Sequence, residues 1–539
     1  MYDKQFWGYF SKRSLICFIV IIALLFSCIL RTAKIATSNY SEVQKNFSSL
    51  KIKIGNTRGT IFDCNKYPLT NNQKKIIACI SPTPRAITAI SQILSDEALE
   101  TVLEQLKNGK PVTCQVPEKI NCDGIVCTEI YTTSPTIPAI HTVGYTDTDN
   151  KGVIGIQKAY EEILYNDQDV TVRLACDGKG RVLSGVEPEI LGETSPYNNA
   201  VVTTIDINIQ NIADQEAKNL GLGSVVIADA KTSKIRAISS VPTFNTTEIS
   251  ELLNEETTPL FNRSLAAYNV GSVFKPCVAA AGIENGYSAF RYTCTGSLQI
   301  IDRIFKCHEH LGHGNMDLNY AIAKSCNTYF YNFGLKVGKN ELLDLASNLN
   351  FGKAIKLGEG VFTAKGSLPK EEKLKNIAHL ANFSIGQGDF TASPVSLLPL
   401  YCAIANDGQY YLPSIIESTI KNGKEEKYNI GSPTKVFEKE TAQKLKTALE
   451  LVISEGTGAL AKPKNVNAAG KTATAQTGKF RNGVEINSSW FCGFLPIDNP
   501  QYVIIIFCED TKKQTKSCAE IFSNIADLLY QENVSQIAN

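Results

Sequence analysis

Residues 271–276 read Gly271-Ser272-Val273-Phe274-Lys275-Pro276, and they predict a turn that leads into a helix. Ser272 and Lys275 are three residues apart, so on a helix their side chains share one face. A serine hydroxyl is a poor nucleophile until a nearby base accepts its proton. The pair alone is weak evidence, because S-x-x-K arises by chance in any long chain and a solvated helix start also explains it. Whether the pair indicates a catalytic site depends on the other motifs in the chain.

Two further polar elements follow this serine. Ser325 and Asn327 are two residues apart, which suits a loop or helix-start bend in which both side chains face one cavity. Lys471 and Thr472 fall within residues 467–478, which predict an extended edge strand. Each element is weak evidence by itself, and an ordinary polar helix start would explain Ser325 and Asn327. In the order S-x-x-K, S-x-N and K-T-x, the three predict a site for acyl transfer through a serine ester.

The surrounding residues predict a sheet with helices. Two strand pairs are predicted, at residues 223–229 with 234–240 and at residues 488–494 with 502–507. Helices are predicted at residues 87–106, 206–220 and 516–531, and the small residues after Pro276 suit a buried central helix. Strand pairs and long helices together predict an α+β fold, in which helices cover the faces of an antiparallel sheet.

Composition narrows the class of protein. The chain has 539 residues, enough for two to four domains with ample core. Its 43% hydrophobic and 20% charged residues are ordinary for a globular protein. The net charge of +1 gives no basic surplus that would suggest binding to nucleic acid.

The N-terminus carries an apolar segment. Residues 14–30 hold no charged side chain, and Lys12 and Arg13 come just before them. That length is near the lower limit for a helix that crosses a bilayer. A cleaved signal peptide or a lipoprotein site fits poorly, because Phe26 stands where small residues are needed. We therefore expect an uncleaved anchor with a short cytoplasmic tail, although Arg31 weakens the charge asymmetry across the span.

Cysteine and histidine gather before the S-x-N element. Cys294 precedes a run that contains Cys307, His308, His310 and His313, and sulfur with imidazole suits zinc. The spacing matches no familiar zinc finger, so the sequence favours a loop over the cleft, with a disulfide between the two cysteines as one option. Whether the other cysteines of the sixteen, such as Cys122 and Cys127, pair or remain buried thiols stays open.

Three other features have ordinary explanations. His141 is predicted to be a structural histidine rather than a ligand. Residues 57–70 predict a surface hairpin. The glycine-rich turn at residues 384–388 resembles a phosphate cradle, but it lacks the lysine and the glycine spacing of a nucleotide loop.

Seven stretches of this chain together resemble class B penicillin-binding proteins, over about residues 55–510. They are Arg58–Asp63, Thr204–Asp206, Asn262–Ser264, Gly271–Pro276, Ser325–Asn327, Gly386–Gly388 and Gly470–Thr472. Together these stretches are highly specific. The resemblance implies a monofunctional D,D-transpeptidase that cross-links peptidoglycan stem peptides outside the cell and binds penicillin covalently.

Site roles follow from the resemblance. Ser272 would be the nucleophile and Lys275 its base, with Ser325 relaying a proton and Asn327 binding the substrate amide and orienting Lys275. Lys471 and Thr472 would bind the terminal carboxylate of the donor, which is the stem peptide that acylates the serine. The backbone N–H groups of Ser272 and Thr474 would form the oxyanion hole. No cofactor and no metal are expected.

The resemblance also implies an order of domains. We expect a cytoplasmic tail (1–13), an anchor (14–30), a connector (31–50), a non-catalytic pedestal (51–196) and a transpeptidase domain (197–535). Expected partners are stem peptides, β-lactams, the membrane and a polytopic glycosyltransferase.

One residue departs from the family's pattern. The third residue of the K-T-G element is Ala473 here instead of glycine. Its methyl group is expected to narrow the groove beside the strand and to slow acylation by bulky β-lactams.

Other functions remain open from the sequence. A serine β-lactamase or a D,D-carboxypeptidase would pass the acyl group to water. A β-lactam sensor would want further membrane or cytoplasmic segments, and an inactive relative would keep only the fold. The pedestal, the anchor and the Arg58–Gly59 element favour the cross-linking enzyme.

Overall fold

The computed structural model describes residues 3–37, 48–166, 169–183, 185–192 and 195–537. Its helices are α1 (Asp3–Thr37), α2 (Pro84–Ser91), α3 (Asp96–Leu106), α4 (Ile140–Val143), α5 (Gly155–Ala159), α6 (Glu161–Leu164), α7 (Ile207–Ala217), α8 (Ile249–Leu252), α9 (Lys275–Glu284), α10 (Leu318–Ala323), α11 (Asn327–Val337), α12 (Lys339–Asn348), α13 (Glu371–Leu374), α14 (Ile377–Phe383), α15 (Leu398–Ala405), α16 (Lys439–Ser454) and α17 (Cys518–Ile537).

The strands of the first half are β1 (Ser48–Asn56), β2 (Thr60–Phe62), β3 (Gln73–Ile80), β4 (Val112–Val116), β5 (Ile125–Thr132), β6 (Asp169–Cys176), β7 (Glu189–Leu191), β8 (Ala200–Thr203), β9 (Gly223–Asp229), β10 (Ile235–Val241) and β11 (Tyr268–Asn269). Those that follow are β12 (Tyr292–Cys294), β13 (Ser297–Ile300), β14 (Arg303–Lys306), β15 (Gly314–Met316), β16 (Lys356–Gly358), β17 (Val361–Phe362), β18 (Thr391–Ala392), β19 (Gln409–Tyr410), β20 (Ile416–Lys421), β21 (Lys424–Lys427), β22 (Thr434–Lys435), β23 (Ala469–Arg481), β24 (Val484–Leu495) and β25 (Tyr502–Cys508).

Helix α1 contains the predicted anchor. Its apolar part, Lys12–Lys34, is 23 residues long with a mean hydropathy of 2.7, which is long and apolar enough to cross a membrane. The predicted span of residues 14–30 lies inside it. Residues 38–47 of the predicted connector lie outside the described residues.

The chain divides into two compact units. The first is made of Met1–Thr57, Lys74–Ile130 and Asp167–Thr194, and the second holds the remaining residues. This differs from the single boundary expected near residue 197, because residues 58–73 and 131–166 belong to the second unit. One reason is that β2 pairs in parallel with β8, which ties an early segment to the later unit.

The first unit contains two three-stranded sheets. Their strand orders are β1-β6-β7 and β4-β3-β5. Helices α2 and α3 pack on the second sheet through buried side chains such as Ile90 and Val102. The single helix predicted over residues 87–106 is wrong, because Ser95 takes an extended conformation (φ −65°, ψ 156°) and starts a new helix with acidic residues in its first turn.

The second unit is built on a five-stranded antiparallel sheet of order β10-β9-β25-β24-β23. Helices α7 and α17 cover one face, and α9, α11 and their neighbours fill the core on the other. The predicted α+β fold, an antiparallel sheet covered by helices, is confirmed. Strand β23 lies at the edge of the sheet, as residues 467–478 predict.

The segment that begins with Arg58 is buried at its start, whereas its turn at Asn65, Lys66 and Tyr67 is exposed. Only 4% of Arg58 is exposed, and its guanidinium donates to Gln157 Oε1 at 2.7 Å and pairs with Glu161 Oε2 at 2.6 Å. The side-chain amide of Asn71 donates to the Arg58 carbonyl at 2.8 Å. The predicted surface position is therefore wrong for Arg58 and correct for the turn, because turn residues do not reveal the partners of Arg58, which lie about a hundred residues further along the chain.

Candidate functional site

A cavity of about 490 Å³ lies in the second unit, where β23 meets the start of α9. Side chains from all three sequence elements line it, namely Ser272, Ser325, Asn327, Thr472 and Thr474. The two predicted lysines, Lys275 and Lys471, are fully buried behind this surface. The structure thus brings all the predicted site residues into one region, with hydroxyl and amide groups facing the cavity and amines beneath it.

Ser272 lies on a 3-10 turn rather than on the α-helix itself. The turn covers Gly271–Phe274, and α9 begins at Lys275 with Pro276 in its first turn. Proline is favoured there because the first helical N–H groups have no partner within the helix. The Lys275 N–H donates to the Ser272 carbonyl, which locks the spacing between the two residues.

The Lys275 amine is held by three oxygen atoms. Its Nζ donates to the Ser325 carbonyl at 2.7 Å, to Asn327 Oδ1 at 2.8 Å and to Ser325 Oγ at 3.2 Å. The amine also lies 5.3 Å from the centre of the Phe330 ring. Burial lowers the pKa of Lys275 to about 7, because removing an ammonium from water disfavours its charged form. A sizeable fraction of this amine is therefore neutral at neutral pH.

Ser325 sits at a strained turn. Its φ of +53° is in the left-handed region, which residues other than glycine rarely occupy. The following residue, Cys326, donates its N–H to the Ala321 carbonyl at 2.9 Å, and α11 starts at Asn327. This bend turns the side chains of Ser325 and Asn327 toward the same amine. Strain of this kind is commonly found at functional sites.

Two glycines bring another loop against the serine turn. The Gly271 N–H donates to the Gly386 carbonyl at 2.8 Å, and both residues have positive φ, +67° and +75°. A Cβ on Gly386 would lie 2.1 Å from the Gly271 oxygen, so no other residue fits without movement. The glycine-rich turn that resembles a phosphate cradle therefore supports the serine turn.

The edge strand contributes a second amine. Lys471 Nζ donates to the Thr472 carbonyl at 2.9 Å. Burial, followed by repulsion from Lys275, holds the pKa of Lys471 well below its usual range. The hydroxyls of Thr472 and Thr457 are 2.7 Å apart. Thr457 also lines the cavity, and it cannot be identified from the sequence because no motif surrounds it.

Ala473 lines the cavity next to the serine turn. It pairs with Trp490 of β24 in the register of the sheet and is only 6% exposed. Its methyl carbon is 3.5 Å from the position that a Cβ on Gly271 would take. The methyl group therefore fills space between the strand and the serine turn.

The cysteines and histidines of residues 294–313 lie beside the S-x-N turn. His308 lines the cavity, and His310 is exposed. Cys294 and Cys307 do not form the disulfide considered above, and Cys122 and Cys127 do not pair either, since all sixteen cysteines are free. His141 Nε2 lies 2.6 Å from the Pro259 carbonyl oxygen. A carbonyl only accepts hydrogen bonds, so Nε2 carries the proton and donates, as expected of a structural histidine.

Comparison with known proteins places this geometry in a family. Residues 223–527, more than half of the chain, match the model of the penicillin-binding protein transpeptidase domain. Stage V sporulation protein D of Bacillus subtilis is 26% identical over 395 residues, which are 69% of this chain and 58% of that protein. The peptidoglycan D,D-transpeptidase MrdA of Acinetobacter baumannii is 26% identical over 404 residues, 68% of this chain and 58% of that protein.

A solved structure shares the fold. It is penicillin-binding protein 3 of Mycobacterium tuberculosis, complexed with aztreonam, which superposes on this chain with a TM-score of 0.66 at 22% sequence identity. The superposition covers 89% of this chain and 97% of the solved chain. The two curated relatives above are matched over 58% of their own length. The resemblance found in the sequence is confirmed: the chain belongs to the penicillin-binding protein transpeptidase family and is a class B penicillin-binding protein.

Proposed function

We propose that this chain is a membrane-anchored peptidoglycan D,D-transpeptidase that works through an acyl-enzyme on Ser272. The observation that carries the proposal is the Lys275 amine, buried and bonded to Ser325 and Asn327 beside a cavity that Ser272 lines. Membership of the transpeptidase family and the name of the Acinetobacter relative support this choice of reaction.

In the acylation step, neutral Lys275 accepts the Ser272 proton as Oγ attacks the carbonyl of the penultimate D-Ala. A base with a pKa near 7 suits this task, because enough of it is unprotonated at neutral pH and it still binds a proton well. The terminal D-Ala leaves after its nitrogen receives a proton. Ser325 Oγ, 3.2 Å from the amine, provides the route for that proton.

The edge strand suits the donor's carboxylate and carbonyl groups. Thr472 and Thr474 face the cavity, while Lys471 lies beneath them with a lowered pKa. A bound carboxylate would favour the charged ammonium, so substrate and proton bind Lys471 together. The N–H groups of Ser272 and Thr474 form the oxyanion hole in this scheme, where one donor is typically worth roughly 3–4 kcal/mol. Because β23 is the edge strand, one of its sides has no strand partner among the residues that the structure describes.

Deacylation then completes the cross-link. An amine of a neighbouring stem peptide attacks the Ser272 ester, forms the new amide and releases the serine hydroxyl. β-Lactams enter by the same attack on their strained amide and remain as a stable ester. Helix α1 anchors the chain by a single pass, with the second unit on the outer side of the membrane. A polytopic glycosyltransferase partner, which would supply the glycan strands, is part of this proposal.

The reaction can be tested with a stem peptide that ends in D-Ala-D-Ala and a second peptide that carries a free side-chain amine. We expect wild type to release D-Ala and to form the cross-linked dimer. Ser272→Ala should do neither, and Ser288→Ala, which changes an exposed serine, should behave like wild type. Release of D-Ala by wild type without dimer would instead identify a D,D-carboxypeptidase.

A further inference from the structure

Four side chains that the proposed reaction does not use converge next to the S-x-N turn. They are Cys294, Cys307, His313 and Cys326, and their ligand atoms all lie within 4.8 Å of one another. The three cysteines are buried, at most 2% exposed, and the histidine is half-buried. The four residues come from three places, namely β12 (Cys294), the loop between β14 and β15 (Cys307 and His313) and the turn before α11 (Cys326).

The distances within the cluster match those around a tetrahedral ion. His313 Nδ1 is 3.5 Å from Cys294 Sγ and 3.5 Å from Cys307 Sγ, and the sulfur atoms of Cys307 and Cys326 are 4.0 Å apart. Bonds of about 2.3 Å from zinc to sulfur and about 2.0–2.1 Å to nitrogen, at tetrahedral angles, place sulfur pairs about 3.8 Å apart and sulfur–nitrogen pairs about 3.5 Å apart. Ligand atoms this close leave room for one ion and not for a cluster of several irons.

A hydrogen bond from a neighbouring threonine supports one of the four ligands. Thr328 Oγ1 donates to Cys294 Sγ at 3.0 Å, and such donors stabilise a thiolate that binds a metal. Residues 294–313 alone show no finger spacing, and the sequence therefore disfavours zinc. Cys326 lies outside that range, as the middle residue of the S-x-N element.

The position of Cys326 ties this cluster to the proposed active site. Its neighbours Ser325 and Asn327 are the residues that bind the Lys275 amine. Ser325 is also the residue with φ of +53°, a conformation that the surrounding structure has to hold. A metal bound to Cys326 would fix the turn at its centre.

We propose that Cys294, Cys307, His313 and Cys326 bind one structural Zn²⁺ that holds the Ser325–Asn327 turn against Lys275. Four protein ligands close the coordination shell, so this zinc activates no water and takes no part in the reaction. Binding replaces the thiol protons of the cysteines with the metal, and the neutral His313 offers its Nδ1 lone pair. The effect on the turn rests on the proposed function, whereas the metal site itself does not.

The test begins with the metal content of the full chain, purified in detergent with and without added zinc. We expect about one zinc per chain, removed by a strong chelator and restored by Zn²⁺ alone. Cobalt bound in its place should show the intense sulfur-to-metal absorption of a thiolate site. His313→Ala and Cys307→Ser should lower zinc affinity by more than the roughly 10–100-fold typical for loss of an outer-shell partner. His310→Ala, which changes an exposed histidine of the same loop, should bind zinc like wild type.

One further variant and one treatment of wild type separate this proposal from the reaction mechanism. Ser272→Ala should lose labelling by penicillin and keep its zinc. Chelated wild type should acylate more slowly and regain its rate when zinc is restored. A protein that folds with no bound zinc, or with a disulfide between any two of these cysteines, would overturn the proposal. Equal zinc in wild type and in His313→Ala would do so as well.

Discussion

Lys275, whose side chain is fully buried, is the most informative residue of this structure. The partners of Lys275 Nζ are a carbonyl, an amide oxygen and a hydroxyl, none of which carries a negative charge. Burial lowers the pKa of this amine and outweighs Cys326 and Cys307, which raise it, whereas a carboxylate partner would have favoured the ammonium. This environment suits the role of base that we propose for Lys275.

Replacing Lys275 with arginine tests whether this side chain acts as a base in acylation. A guanidinium is always protonated in proteins, so it can keep hydrogen bonds to Ser325 and Asn327 but cannot accept the Ser272 proton. We expect the rate of acylation by penicillin to fall by about 100-fold or more, the scale of general base catalysis. Stopped-flow acylation would measure it. Lys306→Arg, at an exposed lysine, serves as the control, and an unchanged rate in Lys275→Arg would remove the assigned role.

We also expect Ala473 to limit the access of β-lactams to the cavity. Its methyl group lines the cavity beside the serine turn, so Ala473→Gly should open the groove and speed acylation by β-lactams with bulky side chains. The neighbouring Ala475→Gly controls for loss of strand propensity, because Ala475 lies on the same strand but is not one of the residues that line the cavity. If no β-lactam acylates Ala473→Gly faster than wild type, the methyl group does not limit access.

At the scale of elements, the serine turn is held by its neighbours rather than by its own helix. Phe274 is the last residue of the turn and packs against Phe351, Phe383 and Phe390, with ring centres 4.6–5.7 Å apart. Burying each such ring stabilises the fold by roughly 2–3 kcal/mol. The Gly386 carbonyl accepts from Gly271 on the other side. The turn is thus fixed between an aromatic core and a glycine loop.

A pair of glycine variants tests this support. Gly386 and Gly388 both have positive φ, so alanine costs about 1 kcal/mol of backbone strain at either position. At Gly386 the new Cβ would also meet the Gly271 oxygen at 2.1 Å, whereas at Gly388 its nearest neighbour is 3.9 Å away. We expect Gly386→Ala to lose most acylation activity and Gly388→Ala to retain it, with both melting temperatures measured. Similar acylation by the two variants would show that the contact does not position Ser272.

At the scale of the whole molecule, the second unit collects segments from distant parts of the chain. Residues 131–166 bring His141 into its core, where Nε2 donates to the Pro259 carbonyl and the ring packs edge-on against Phe244. Burial lowers the pKa of His141 from 6.5 to about 4. The folded chain therefore holds this histidine neutral in a range where the unfolded chain would protonate it.

This histidine predicts how stability depends on pH. Because its pKa is lower in the folded state, the stabilisation is complete above pH 6.5 and is lost as the pH falls toward 4. The full effect of a shift from 6.5 to about 4 is about 3 kcal/mol of unfolding free energy. Denaturant unfolding from pH 7 to pH 4 should show this loss in wild type and a smaller one in His141→Gln, which keeps an N–H donor. Parallel curves for the two proteins would contradict the assignment.

Local patterns predicted much of this structure, and long-range contacts account for what they missed. The spacing of Ser272 and Lys275, the edge strand and the antiparallel hairpins follow from residues close together in sequence. The break at Ser95 was missed because the apolar period continues across it. Gly386, Thr457 and Cys326 acquire their places from contacts with residues tens to hundreds of positions away, which no local pattern encodes. Arg58 is buried for the same reason.

The most direct test of the central claim is to label the full chain with fluorescent penicillin and to locate the label by peptide mapping. Wild type should carry one stable label, on the peptide that contains Ser272, and Ser272→Ala should carry none while it keeps the melting temperature of wild type. An unlabelled wild type, or a folded Ser272→Ala that still reacts, would contradict the assignment of Ser272 as the nucleophile.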